Sequence, residues 1–255
     1  MTELFDLTGR TALVTGASGG LGRHFATTLA RSGATVAVAA RRQDKVAAVA
    51  DEIVAAGGKA LAVALDVVSR ESVAAAFEEV EQKAGTVTVV VNNAGIAGRG
   101  PALDMPEDLY DKVMETNLKG VWNVAQESAR RMVKAGKPGS IVNIASILGV
   151  RIAKGLLPYA VSKAAVVQMT KVLALEWAPH KIRVNAIAPG YVVTDINRDF
   201  LKSPAGQAII DRIPQQRTGD MRDLEGPLLL LASDAGAYMT GAIVPVDGGH
   251  LVTSV

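Results

Sequence analysis

The sequence predicts an α/β fold, an open parallel sheet with helices on both faces, and three observations carry the prediction. Short apolar runs alternate with amphipathic stretches along the whole length. Most of these runs show little polar–apolar alternation, as expected of strands buried on both faces. A glycine cluster at 16–22 falls between the first apolar run and the first helical pattern. Residues that are 49% apolar but only 4% aromatic favour a core of small aliphatic side chains, which lets helices pack closely on a sheet.

The elements follow in order. A first strand is predicted at 11–15 and a helix at 20–32, then a strand at 34–40 and a helix at 43–56. A strand at 60–65 precedes a helix at 69–84, and a strand at 87–91 precedes one long helix at 107–135. The fifth strand, 141–145, leads to a helix at 158–178, and the sixth, 182–187, leads to an irregular stretch. A helix at 220–232 and a seventh strand at 242–246 complete the pattern. Repeated strand–helix–strand units imply right-handed crossovers within one sheet. A closed barrel would need an eighth unit, which the sequence lacks. Without linker, repeat or low-complexity segment, residues 1–255 are expected to form one domain. Pro245 cannot donate a ladder hydrogen bond, so the last strand should be an edge. Ligands of open sheets bind beyond the carboxyl ends of the strands, and there the stretch 190–215, with short helical pieces at best, is expected to be a mobile substrate lid. A plain surface excursion is the alternative.

Charge and residue usage exclude several classes. With 27 basic and 25 acidic residues the net charge is +2, and the only adjacent basic pairs are Arg41-Arg42 and Arg130-Arg131, so no nucleic-acid partner is expected. The absence of cysteine excludes disulfides and thiolate metal sites, and His24, His180 and His250 are scattered, so no metal is expected. Acids near the N-terminus and the lack of an apolar run approaching about 18 residues point to a cytoplasmic protein without a membrane partner.

The first strand runs into Thr15-Gly16-Ala17-Ser18-Gly19-Gly20-Leu21-Gly22. Glycines at such a turn let the backbone approach a pyrophosphate, and the helix N-terminus offers free N–H groups to it. Dinucleotide sites usually place an acid at the end of the second strand to hold the ribose 2′-hydroxyl. Here that place reads Ala39-Ala40-Arg41-Arg42, and no carboxylate follows until Asp44. Arginine there suits a 2′-phosphate, so NADP is expected over NAD. The alternative is that both arginines are solvated residues at a helix start.

Tyr159-Ala-Val-Ser-Lys163 opens a strong helical pattern, and residues four apart share a helix face. Ser146 follows the fifth strand, Asn92-Asn93-Ala94-Gly95 ends the fourth, and Pro189-Gly190 with Thr194 follows the sixth. Asn117 lies mid-helix with Gly120, where both oppose helix propensity. Taken singly, Ser146 fits a turn, Asn117 a kink and Thr194 a helix cap.

Together, Thr15-Gly16-x-x-x-Gly20-x-Gly22, Asp66-Val67, Asn92-Asn93-Ala94-Gly95, Asn117, Ser146, Tyr159-x-x-x-Lys163 and Pro189-Gly190 resemble the short-chain dehydrogenase/reductase family over essentially the whole chain. The resemblance implies a Rossmann-type doubly wound sheet of about seven strands, order 3-2-1-4-5-6-7. It implies Tyr159 as general acid or base, Ser146 as donor to the substrate oxygen, Lys163 on the nicotinamide ribose and Asn117 in a proton relay. Cofactor contacts are implied at Gly16, Ser18, Gly20, Leu21, Gly22, Arg41, Arg42, Asp66, Val67, Asn93, Ala94, Gly95, Tyr159, Lys163, Pro189, Gly190, Val192 and Thr194, with Asp66 on adenine and Thr194 on the carboxamide. A homotetramer through the 107–135 and 158–178 helices and the last strand is implied as well, and would cover that edge and the apolar tail 251–255.

The chemistry is coherent without the family. A tyrosine of pKa near 10 is a poor base at neutral pH, and a cation about 5 Å away at an effective dielectric near 20 would favour tyrosinate by roughly 3 kcal/mol. The presumed lid contributes Tyr191, Val192, Val193, Ile196, Phe200 and Leu201, with Arg198 and Lys202 between them. Neighbouring loops add Ile96, Arg99, Ile147 and Leu148. Such a largely apolar pocket suits a ketone or secondary alcohol with a hydrophobic arm. Within the family the likeness is greatest to 3-oxoacyl-acyl-carrier-protein reductases and gluconate 5-dehydrogenase-like enzymes, so an NAD-dependent sugar dehydrogenase is the alternative. A non-catalytic nucleotide sensor is disfavoured by the presence of both tyrosine and lysine. Arg130 and Arg131 have two readings, a dock for an acidic carrier protein or a solvated helix face.

Overall fold

Residues 3–194 and 198–253 are described by a computed structural model. Ile196 of the expected pocket, and Ser254 and Val255 of the apolar tail, lie outside the described residues. The strands are β1 (Thr11–Thr15), β2 (Thr35–Ala40), β3 (Lys59–Ala64), β4 (Val87–Asn92), β5 (Gly139–Ile144), β6 (Ile182–Pro189) and β7 (Ile243–Val246). They form one parallel sheet in the order β3-β2-β1-β4-β5-β6-β7. Between and after them lie α1 (Gly20–Arg31), α2 (Gln43–Ala55), α3 (Arg70–Ala84), α4 (Glu107–Met114), α5 (Gly120–Lys134), α6 (Leu157–Trp177), α7 (Arg198–Lys202), α8 (Pro204–Ile210) and α9 (Glu225–Ala232).

Alternate residues of the buried strands face opposite sides and create two cores. Val14, Val38, Val91, Val142 and Ile187 pack under Phe25 and Leu29 of α1, Val46 and Ile53 of α2, and Leu228 and Leu231 of α9. Leu13, Ala37, Val63, Val90, Ile141 and Val184 pack on Phe77 of α3, Val124 and Met132 of α5, and Leu173 of α6. Each fully buried Leu or Phe contributes roughly 1.5–3 kcal/mol, so both helical layers are held by burial more than by propensity. β7 pairs only with β6 among the described residues, and Pro245 sits on it opposite Ala188, the edge position its missing N–H requires.

The structure departs from the expected elements at one place that matters. The single helix expected over 107–135 is two helices joined by a π turn, Glu115–Lys119, with Asn117 at its centre. An extra residue in the turn aims the Asn117 side chain inward, where it is fully buried. The stretch after β6 holds two short helices, α7 and α8, and Ser203 caps the second by accepting from the Gly206 N–H at 3.2 Å.

Candidate functional site

The strand order reverses at β1, whose neighbours are β2 and β4, and crevices form at such switch points. Here the carboxyl ends of the strands surround a cleft of about 920 Å³. Every residue expected to touch the cofactor lines it. The β1–α1 turn contributes Gly16, Ser18, Gly20, Leu21 and Gly22, Arg41 and Arg42 follow β2, and Asp66 and Val67 follow β3. Asn93, Ala94 and Gly95 follow β4, Tyr159 and Lys163 come from α6, and Pro189, Gly190, Val192 and Thr194 from the end of β6.

Two glycines in the first turn are required by geometry. Gly16 has φ +65°, and a Cβ there would stand 2.8 Å from the Cα of Ala94. A Cβ at Gly22 would come within 2.6 Å of Asn93 Nδ2. No side chain caps the start of α1, which leaves its first N–H groups directed at the cleft. A bare helix N-terminus behind a close-packed glycine turn fits the pyrophosphate of a dinucleotide. At the far end Arg42 Nη2 donates to Ser18 Oγ at 3.2 Å, and Asp44 lies in the first turn of α2, outside the cleft lining.

The loops are fixed by side chains that sequence reasoning did not single out. Buried Thr15 Oγ1 accepts the N–H groups of Asn93 and Ala94, each at 3.0 Å, and Asn93 Nδ2 returns a bond to Thr15 O at 3.0 Å. Asn123 of α5 donates to Val67 O at 2.9 Å, holding the loop that carries Asp66. Only the position of Thr15 ahead of Gly16 hinted at the first, and nothing local signalled the second.

The four expected catalytic residues converge. Lys163 is 4% exposed, its Nζ donates to Ile144 O at 2.7 Å, and it lies 5.7 Å from the centroid of the Tyr159 ring. Ser146 Oγ accepts from Leu148 N–H at 3.1 Å, so it also caps a turn, and Ser146 and Tyr159 line the same cleft. Asn117 accepts the Ile96 N–H at 2.8 Å and donates to Ile96 O at 2.9 Å and to Ser162 Oγ at 3.1 Å. Ser162 in turn donates to Tyr159 O at 2.7 Å, which ties the π turn to the first turn of α6.

The assembled fold adds desolvation, which spacing does not show. Burial holds the Tyr159 phenol above its ordinary pKa, the Ser146 hydroxyl opposes the rise and Tyr191 adds to it. Burial also lowers Lys163 to about 8. Desolvation thus disfavours the charged form of both groups, and the chain's own groups keep Tyr159 protonated.

The remaining lining of the cleft is largely apolar, with Ile96, Ala97, Ile144, Ala145 and Val192, and Thr116 and Thr194 as polar points. Ile147 (2% exposed) and Leu201 (5%) are packed inward rather than presented to a ligand. Arg99 stacks its guanidinium over the Phe200 ring at 5.2 Å. Arg131 is not free to dock a partner: it is ion-paired to Glu81 and Glu127, each at 2.6 Å, and only Arg130 of the pair is exposed. Among the described residues no group of metal-ligating side chains gathers, and no helix is long and apolar enough to cross a membrane.

A family model described as enoyl-(acyl carrier protein) reductase matches residues 16–250. The chain is 39% identical to a 2-dehydro-3-deoxy-D-gluconate 5-dehydrogenase of Dickeya dadantii, over 97% of both chains. It is 37% identical to a 3-oxoacyl-[acyl-carrier-protein] reductase of Thermotoga maritima, over 96% of this chain and 99% of that one. A crystal structure of a gluconate 5-dehydrogenase from Burkholderia cenocepacia, in complex with NADP and tartrate, superposes with a TM-score of 0.95 at 36% identity and 99% coverage of each chain.

Proposed function

The chain belongs to the short-chain dehydrogenase/reductase family, and on that premise we propose that it is an NADP(H)-preferring oxidoreductase that reduces a ketone, or oxidises the matching secondary alcohol. The observation that carries this reading is the convergence of Ser146, Tyr159 and buried Lys163 at the mouth of a cleft shaped for a dinucleotide. The bound nicotinamide supplies or accepts the hydride.

The protein's own residues do the rest. The β1–α1 turn and the start of α1 bind the pyrophosphate, Asp66 and Val67 flank the adenine, and Lys163 holds the nicotinamide ribose. Ser146 donates to the carbonyl oxygen and orients it. Tyr159 then delivers its proton to that oxygen as negative charge develops, a task for which a phenol kept protonated by burial suits the reductive direction. Asn117 keeps the π turn and the loop after β4 in place beside them. Residues 190–215 act as a lid on the substrate end of this one dinucleotide-binding domain.

The preference for NADP(H) is supported by Arg41 and Arg42 at the end of β2, where no carboxylate lines the cleft. In fluorescence titrations NADPH should bind at least about tenfold tighter than NADH, some 1.4 kcal/mol, and the double substitution Arg41→Ala, Arg42→Ala should erase the difference. Equal or tighter NADH binding by the native protein would sink this preference. The apolar lining favours a ketone with a hydrophobic arm, for which ethyl acetoacetate with NADPH is the probe. A second reading, oxidation of a sugar acid, is favoured by the sugar-acid dehydrogenases among the relatives, and gluconate with NADP⁺ tests it. The faster of the two reactions decides between them.

We also propose that four copies associate. Leu157, Val161, Val172 and Leu175 stand exposed along α6, Leu175 by 80%, and an apolar stripe of this kind is suited to a second copy of the same helix. Sedimentation velocity at micromolar concentration should show a four-chain species, and a stable monomer would remove the proposal.

A further inference from the structure

The loop after Ser146 is closed by its own hydrogen bonds and rests on the catalytic helix. Gly149 N–H donates to Ser146 O at 2.9 Å and Arg151 N–H to Ile147 O at 2.7 Å. A Cβ at Gly149 would stand 2.8 Å from Lys163 O, so the loop rests directly on α6. Arg151 is therefore carried on the same rigid turn that presents Ser146.

From that turn the guanidinium reaches the other end of the chain. Arg151 Nη1 donates to His250 O and, at 2.8 Å, to Thr253 Oγ1, which itself donates to His250 O at 3.2 Å. The segment it grips is preorganised: the Asp247 carboxylate accepts the N–H groups of Gly249 at 2.9 Å and Leu251 at 2.7 Å. His250 is 7% exposed, and its ring lies 5.8 Å from that of Tyr191, whose neighbours Gly190 and Val192 line the cleft. Gly190, just before Tyr191, is pressed against Asp247, where a Cβ would fall 2.8 Å from the Asp247 Cα. The end of β6 and the C-terminal segment thus form one wall, and Arg151 joins that wall to the loop of Ser146.

We infer that Arg151 is a positioning residue for the substrate end of the site, holding His250 against Tyr191, the residue between Gly190 and Val192 of the cleft lining. The inference rests on the reading of Ser146 and Tyr159 as the catalytic pair. A planar guanidinium can bond a carbonyl and a hydroxyl together in fixed directions, which a flexible ammonium reproduces only in part. The Arg151 bonds involve no residue of the β1–α1 turn, so loosening them should weaken substrate orientation more than cofactor binding.

Arg151→Ala, Arg151→Lys and Thr253→Val test this in the full-length protein, with ethyl acetoacetate and NADPH as probes. For Arg151→Ala the KM for ethyl acetoacetate should rise at least about fivefold while kcat and the NADPH Kd stay within about twofold; Arg151→Lys should recover part of the loss, and Thr253→Val should show a smaller KM rise. Hydrogen exchange on the unliganded Arg151→Ala protein should be faster at the amides of Gly249, Leu251 and Val252. Unchanged exchange, or faster exchange with an unchanged KM, would overturn the inference, as would parallel losses of cofactor binding and thermal stability. A native protein that binds NADPH yet turns over neither ethyl acetoacetate nor gluconate would instead overturn the functional reading beneath it.

Discussion

Replacing Tyr159 with phenylalanine is expected to lower kcat for ketone reduction by about a thousandfold while leaving the NADPH Kd within about twofold. The ring stays in place over the cleft, so the packing that shapes the nicotinamide end survives. What is lost is the one hydroxyl placed to donate a proton beside Ser146, and proton transfer by a positioned group contributes roughly 10²–10⁴-fold. Steady-state rates with ethyl acetoacetate, paired with fluorescence titration of the same preparation, measure both halves. Turnover close to the native rate would remove Tyr159 from the mechanism. The direction of its pKa adds a pH dependence: a proton donor must be protonated, and burial holds this phenol above its ordinary value of 10.0. The step it serves should therefore fail only on the alkaline side of that value, with no loss through Tyr159 at pH 6 to 9.

Lys163→Met carries the second large effect, an opposed change in activity and in pH-dependent stability. Removing the cation that stands 5.7 Å from the Tyr159 ring centroid should lower kcat by at least about 10², the scale on which single electrostatic stabilisers act. Stability follows from burial. The Lys163 ammonium has its pKa lowered from 10.5 to about 8, so in the folded protein it releases its proton earlier than in the unfolded chain. Below about pH 8 both states are protonated, and the folded state bears the full cost of a buried charge. As pH rises from about 8 towards 10.5 the unfolded chain binds more protons, and this group's contribution increases by on the order of 3 kcal/mol. Urea unfolding at pH 7.5 and pH 10 should reveal that increase in the native protein and its absence in Lys163→Met. Identical pH profiles for the two proteins would show that the buried lysine does not titrate in this range.

Much of the site could be read from local spacing because its parts are local. Tyr159 and Lys163 share a helix face by virtue of a four-residue interval, and the glycines at 16 and 22 mark a turn where a Cβ meets Ala94 or Asn93. The unalternating apolar runs reported strands covered on both faces, and Pro245 reported an edge. The boundary errors were small, and the one error of kind was the helix expected over 107–135. Asn117 and Gly120 signalled trouble there, but the π turn is decided by two bonds from Asn117 to Ile96, a residue on another element.

What the sequence by itself determined is therefore the order of strands and helices, the glycine turn, and which side chains could carry acid–base chemistry at the strand ends. Those features depend on backbone preferences and on side-chain intervals of a few residues, which a linear chain displays directly. Only the tertiary structure decided that Thr15 fastens the loop after β4, that Arg131 is held by Glu81 and Glu127, and that Ile147 and Leu201 are buried outside the cleft lining. It alone joined Arg151 to the C-terminal segment, and it buried Tyr159 so that desolvation holds the phenol above its ordinary pKa in the protein alone. The physical reason is common to all of these. Hydrogen-bond partners brought together from distant parts of the chain, and the desolvation of a charge by everything packed around it, belong to the assembled fold and have no counterpart in residue spacing.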